Sequence, residues 1–259
     1  MIECHSEEID GQLVAWRSAP SDGTPILWVH GVPESSRMWT PFLERCGGIA
    51  VDLPGFGTSG KRHDLDYSID GYADFLDRFT GHLGLGRVRL CCHDWGAVAL
   101  AWAARHPERI ERMVAIDVVP FSAEFRWHWA ARLWRTRGVG EIAMGSTGPR
   151  LLAQASGRSK AWADEVMEHF DQGTQRAILR LYRSADPDRL AAAGARLGGI
   201  DAPALVLWGA RDRYIDPRFG EELAATLPGA TAEILSGAGH WPWTDDSGVI
   251  DRVAAFLAA

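Results

Sequence analysis

The stretch from Arg89 to Ala97 restricts the fold more than any other. Val88 to Cys92 is a short apolar run with strand character, and Gly96, Ala97, Ala99 and Ala101 open a small-residue segment that can continue as a helix. A strand, a sharp turn and a helix therefore follow one another without a linker. The residue at the apex of such a turn is held in a strained backbone and projects above the sheet, so its near neighbours must be small. Asp94 sits at that apex, flanked by Cys92, Gly96 and Ala97.

An aspartate in that position has a chemical meaning. A carboxylate needs no base to activate it; it attacks a saturated carbon bearing a leaving group and gives an alkyl ester linked to the protein. Attack on an ester carbonyl would give an anhydride instead, a poor route. Asp94 as nucleophile therefore favours epoxides or alkyl halides over esters. The alternative reading of Asp94 is a helix N-cap ahead of Trp95.

The remainder of the chain alternates strands and helices. Ile9 to Arg17 has strand-like alternation broken by a turn at Asp10-Gly11, which implies two opening strands. Ile26 to His30 and Gly48 to Asp52 read as buried strands, the second leading into the rigid loop Leu53-Pro54-Gly55-Phe56-Gly57. Ile69, Tyr72, Ala73, Leu76, Phe79 and Leu83 recur at helical spacing behind a capping Ser68. Met113 to Val119 forms the next strand, Ala204 to Trp208 and Thr231 to Leu235 the last two, and helices are expected at Phe219–Leu227 and Val249–Leu257. This order implies a parallel sheet with right-handed crossovers. Between residues 121 and 198 the strand signals vanish and helix formers dominate, so residues 1–120 and 199–259 read as one core and residues 121–198 as an inserted helical cap.

Composition narrows the partners. The chain has 259 residues, 46% of them hydrophobic, enough for one substantial core. A net charge of -7 with no run of Lys and Arg argues against nucleic acid. The acidic N-terminus is no signal peptide and no stretch is apolar enough to span a bilayer, so a cytoplasmic protein without a membrane partner is expected. Cys4, Cys46, Cys91 and Cys92 lack metal-site spacing and are expected to be reduced and buried. The histidines show no ligand spacing either, so neither metal nor cofactor is expected.

Four motifs in order carry a resemblance: His30-Gly31-Val32-Pro33, Asp52-Leu53-Pro54-Gly55-Phe56-Gly57, His93-Asp94-Trp95-Gly96 and Gly239-His240-Trp241. Together they resemble α/β-hydrolases of the epoxide hydrolase and haloalkane dehalogenase group across nearly the whole chain. The resemblance implies the α/β-hydrolase fold, a mostly parallel eight-stranded sheet with a helical cap. It implies Asp94 as nucleophile and the backbone N–H groups of Val32 and Trp95 as the oxyanion hole.

His240, in the loop after the last strand, is then the base that removes a proton from water. Two acids compete to orient it: Asp212, after the strand at Ala204 to Trp208, is favoured, and Asp117, in Ile116-Asp117-Val118, is the alternative. Each also has the plainer role of capping its loop.

The leaving group divides the group's two chemistries. An epoxide needs an acid, a halide only desolvated N–H donors. Leu181-Tyr182-Arg183 looks like the segment carrying one epoxide hydrolase tyrosine, so Tyr182 is the expected acid, whereas Trp127-His128-Trp129 resembles the His-Trp pair of fluoroacetate dehalogenases. Val32 stands where many haloalkane dehalogenases have a halide-binding Asn. Epoxide hydrolysis therefore leads, with halide release as the alternative, and an esterase or a binding protein further off. His30, Trp95, His128, Trp129, Tyr182 and Trp241 are the expected lining of a pocket for a small apolar or aromatic substrate and water, in a monomer or homodimer.

Overall fold

The computed structural model describes residues 1–259. The opening alternation folds as a hairpin in which β1 (Glu3–Ile9) and β2 (Gln12–Ala19) pair antiparallel through Asp10 and Gly11, at φ 49° and 73°. β1 begins at Glu3 rather than near Ile9. As the outer strand of the sheet it buries only Ile9, so its sequence carries little apolar pattern.

Six further strands follow: β3 (Ile26–Val29), β4 (Gly48–Val51), β5 (Val88–His93), β6 (Ile110–Ile116), β7 (Ala204–Gly209) and β8 (Ala230–Leu235). The sheet order is β1-β2-β4-β3-β5-β6-β7-β8, with β2 antiparallel to both neighbours and all pairs from β4 to β8 parallel. This is the eight-stranded, mostly parallel α/β-hydrolase sheet. β3, β5 and β7 are buried at every position, because helices cover both faces of a parallel sheet. Along β3, Leu27 and Val29 enter one apolar layer while Ile26 and Trp28 enter the other. β6 runs from Ile110 to Ile116, earlier than the expected Met113 to Val119. Asp117, at φ 43°, turns the chain out of the sheet.

Helices close both faces. α1 (Thr40–Cys46) is too brief for its periodicity to be legible, whereas α2 (Ile69–His82) is long, buries Tyr72, Leu76 and Phe79, and is capped by Ser68, whose side chain accepts from the Gly71 N–H at 3.1 Å. α3 (Val98–Arg105) continues from the turn at Asp94. Between β6 and β7 lie only helices: α4 (Trp129–Arg135), α5 (Val139–Gly145), α6 (Pro149–Ser156), α7 (Lys160–Met167), α8 (Gln172–Ser184) and α9 (Pro187–Gly194). α10 (Arg218–Thr226), α11 (Pro242–Asp245) and α12 (Gly248–Ala258) complete the chain.

All four cysteines are free, and Cys91 and Cys92 are buried on opposite faces of β5. Cys46 is only half-buried and Cys4 is exposed on β1, against the expectation that all are buried. No helix is long and apolar enough to cross a membrane.

Candidate active site

The site forms where β3, β5, β6, β7 and β8 end. Asp94 follows β5 at φ 51°, a conformation that costs a non-glycine residue on the order of 1 kcal/mol or more and survives only where the surroundings enforce it. Two glycines let the turn close. A side chain on Gly96 would run into the Val29 carbonyl, and one on Gly31 would run into Asp94 itself. With Gly31 bare, the loop after β3 approaches closely enough for the Val32 N–H to donate to Asp94 Oδ1 at 2.8 Å. Trp95 opens the helical turn behind Asp94, where backbone N–H groups lack helical partners.

His240 reaches the same point from the loop after β8. Its Nδ1 bonds Asp212 Oδ2 at 2.7 Å and its Nε2 lies 3.5 Å from Asp94 Oδ2. The second acceptor of Asp212, Oδ1, takes the N–H groups of Tyr214 at 2.7 Å and Ile215 at 3.2 Å, so the carboxylate is fixed at both oxygens. His93 donates from Nε2 to the His240 carbonyl at 2.8 Å and so holds the backbone of the loop. Burial lowers the His93 pKa to about 3, keeping this ring neutral.

The charges follow from the geometry. Burial would lower the pKa of His240, but Asp212 and Asp94 outweigh it and raise it well above the usual value. Burial would likewise raise Asp94 and Asp212, yet the His240 imidazolium holds both below the usual carboxylate range. Asp117 is the contrast. It is fully buried, accepts only the Gly209 N–H at 2.9 Å through Oδ1, and leaves Oδ2 without a partner. Burial, then the neighbouring Asp212, push its pKa well up, which favours the protonated acid. Of the two acids, Asp212 makes the direct bond to His240. Donor atoms of Asp117, Asp212 and His240 lie within 4.8 Å of one another, but those of Asp212 and His240 bond each other.

Aromatic side chains roof the site. Trp95 is fully buried, stacks on Trp127 at 5.3 Å between centroids and meets Tyr182 edge-on at 5.1 Å. Tyr182 projects from α8 and also packs against Trp127 and Trp134. The buried Trp95 Nε1–H makes no well-formed hydrogen bond, and its weak polar contact is to the Tyr182 hydroxyl. Burial raises the Tyr182 pKa well above that of a free phenol, so its proton is retained. His128 caps α4, accepting the Ala131 N–H at 3.4 Å, and packs on Tyr214 at 5.1 Å. Burial lowers its pKa to about 4.

Two expected lining residues fall elsewhere. Trp129 is 66% exposed: His128 takes the cap position, and Trp129, first in α4, turns outward. His30 is buried with both nitrogens engaged, Nδ1 with the Gly31 carbonyl at 2.7 Å and Nε2 with the Leu53 N–H at 3.0 Å. It ties two strand-end loops together and has no hydrogen bond left for a substrate. Trp241 packs edge-on against His240 at 4.8 Å while its indole N–H turns away to Glu34.

Glu34 and Tyr214 are the residues missing from the sequence reading. The buried Glu34 carboxylate accepts the Trp241 indole at 2.8 Å and the Trp162 indole, from α7, at 2.9 Å. Burial raises its pKa, and the two indole hydrogen bonds, then the Arg158 guanidinium over both indoles, counter that rise. Its position directly after Pro33, in the loop that reaches Asp94, was the available signal. Tyr214 packs on His240 at 5.1 Å and sends its hydroxyl to the Ala155 carbonyl.

Fold and site together define a hydrolase built on a strand–turn–helix elbow. The chain belongs to the alpha/beta hydrolase family, whose match spans residues 26–252. Its relatives include Epoxide hydrolase 2 of Caenorhabditis elegans, 29% identical over 90% of this chain and 73% of that protein. A haloalkane dehalogenase of Mesorhizobium japonicum is 28% identical over 93% of this chain and 86% of its own. Among solved structures, the haloalkane dehalogenase DbeA from Bradyrhizobium elkani superposes with a TM-score of 0.85 at 27% identity, covering 100% of this chain and 98% of its own.

Proposed function

We propose that the protein hydrolyses an epoxide to a diol through an ester on Asp94. The observation that carries this reading is the paired donors over the elbow: the Tyr182 hydroxyl, which keeps its proton, beside the indole N–H of buried Trp95, which no acceptor holds in a well-formed hydrogen bond. Asp94 Oδ2 attacks one epoxide carbon, the carbon–oxygen bond breaks, and the departing oxygen takes a proton from Tyr182 while the indole N–H stabilises it. Val32 holds Oδ1 and so fixes which oxygen attacks.

The second half restores the carboxylate. His240 Nε2 takes a proton from water, the water oxygen adds to Asp94 Cγ, and the negative charge gathers on Oδ1, held by the Val32 and Trp95 N–H groups. Collapse breaks the bond from Cγ to Oδ2, the diol leaves with the proton from His240, and the Asp94 carboxylic acid left behind passes its proton to His240, which restores the carboxylate and the imidazolium. The proton inventory favours an epoxide. His240 starts as imidazolium, and the alkoxide consumes one proton, so the first step leaves His240 neutral and ready as a base once Tyr182 is restored. A halide departs without a proton.

Halide release is the second reading, supported by the same indole N–H in an otherwise apolar roof. The test is a parallel assay of a styrene-oxide-type epoxide and a bromoalkane panel, following diol and bromide, with Asp94→Ala as control. Diol without bromide fits the proposal. Bromide without diol moves the reaction to dehalogenation, and turnover that survives Asp94→Ala overturns both.

A further inference from the structure

We propose that the outer face of α4 and α5 docks on an anionic lipid surface. Large apolar side chains that stay exposed are few in this chain, and five of them, Trp129, Leu133, Val139, Ile142 and Leu151, fall within one short stretch of the helical insertion. Trp129 and Leu133 are four residues apart on α4, and Val139 and Ile142 three apart on α5, so each pair shares a helix face. Their exposures of 66%, 40%, 45% and 72% place both faces in solvent. The opposite sides of the same helices bury Ala131 and Met144.

Charge identifies the occupant. The net charge of -7 is the sum of two regions of opposite sign: residues 121–198 hold twelve Lys and Arg against eight Asp and Glu, and the rest of the chain 15 against 26. Arg132, Arg137 and Arg150, all exposed, alternate along the chain with these apolar residues, and no ion pair with a carboxylate involves them. Glu124 and Glu141, the acids of this stretch, are taken by Arg218 and Arg183. Unpaired arginines interleaved with tryptophan and aliphatic side chains on short helices match the headgroup region of an anionic bilayer, where each cation near the surface contributes about 1 kcal/mol. This departs from the expectation of no membrane partner, which rested on the net charge and the absence of a spanning segment. The same α4 carries Trp134 against Tyr182, so docking would set the roof of the site beside a phase in which apolar substrates concentrate.

The experiment is co-sedimentation of the full chain with phosphatidylcholine vesicles and with vesicles of phosphatidylcholine and phosphatidylglycerol. Binding to the anionic vesicles at least tenfold above the neutral ones, weakened by salt, is expected. Arg132→Gln and Arg137→Gln should each lower the partition coefficient about fivefold. Leu133→Ser with Ile142→Ser should abolish binding, each variant melting as the parent does. No preference for anionic vesicles, or binding unchanged in these variants, overturns the proposal. So does self-association on sedimentation that the same substitutions remove, which would make a second copy the occupant.

Discussion

His240 Nε2 stands 3.5 Å from Asp94 Oδ2, an ion pair rather than a short hydrogen bond, while its other nitrogen is locked at 2.7 Å to Asp212. The imidazole thus serves two carboxylates unequally. Asp212 fixes its orientation, and Asp94, held through Oδ1 by the Val32 N–H, keeps Oδ2 at the longer distance.

This arrangement sets the pH response. The raised pKa of His240 means that the base form appears only as pH rises, and esterification of Asp94 removes one of the two anions holding the proton. The proposed alkylation needs ionised Asp94, whose pKa is lowered, and protonated Tyr182, whose pKa is raised, so it persists to lower pH. Rapid-quench measurements should therefore find the ester burst growing as pH falls while steady-state turnover declines.

Asp212 and Asp117 should separate on mutation. Asp212→Asn removes the anion that orients and charges His240 and should cost about a thousandfold in turnover or more, as loss of the acid does in related triads. The Asp117 pKa is pushed well up by burial, and the side chain accepts the Gly209 N–H through one oxygen, which an amide can do as well. Asp117→Asn should stay within about tenfold of the parent, well short of that loss. Steady-state kinetics of the two variants checks both.

Tyr182→Phe distinguishes the leaving groups. Loss of the proton donor should lower epoxide opening by about a hundredfold or more, the range for general-acid groups. Any halide release should fall much less, because the Trp95 N–H is untouched. Single-turnover alkylation rates on both substrate types give the comparison.

Glu34→Ala leaves the Trp162 and Trp241 indoles without an acceptor, at about 1–3 kcal/mol per buried donor. Removal of a buried carboxylate returns part of that cost, so a net loss of about 2 kcal/mol is expected. Glu34→Gln keeps one acceptor and should lose about half as much. Chemical denaturation of the three proteins measures it.

The legible parts of this molecule are those whose patterns are local. The elbow shows because the small residues, the apolar run and Asp94 are contiguous, and α2 shows because its apolar spacing spans several turns behind a capping Ser68. Glu34 does not show. A carboxylate in a loop reads as solvated, and its burial depends on Trp162 and Trp241, far along the chain. Trp129 and Trp127 look alike in sequence. The cap at His128 sets the helix phase that turns Trp129 outward, while Trp127, ahead of the helix, stacks on Trp95. Asp117 and Asp212 end neighbouring strands and both face His240, so spacing alone gives no measure of which one is ionised.

A covalent bond to Asp94 is the centre of the proposed mechanism, and intact-mass spectrometry tests it directly. His240→Gln removes the base for the second step and leaves the nucleophile in place. Incubated with an epoxide that the parent turns over, this variant should gain the mass of one substrate, mapped by peptide digestion to Asp94. An unmodified protein, or an adduct on any other residue, would contradict the mechanism.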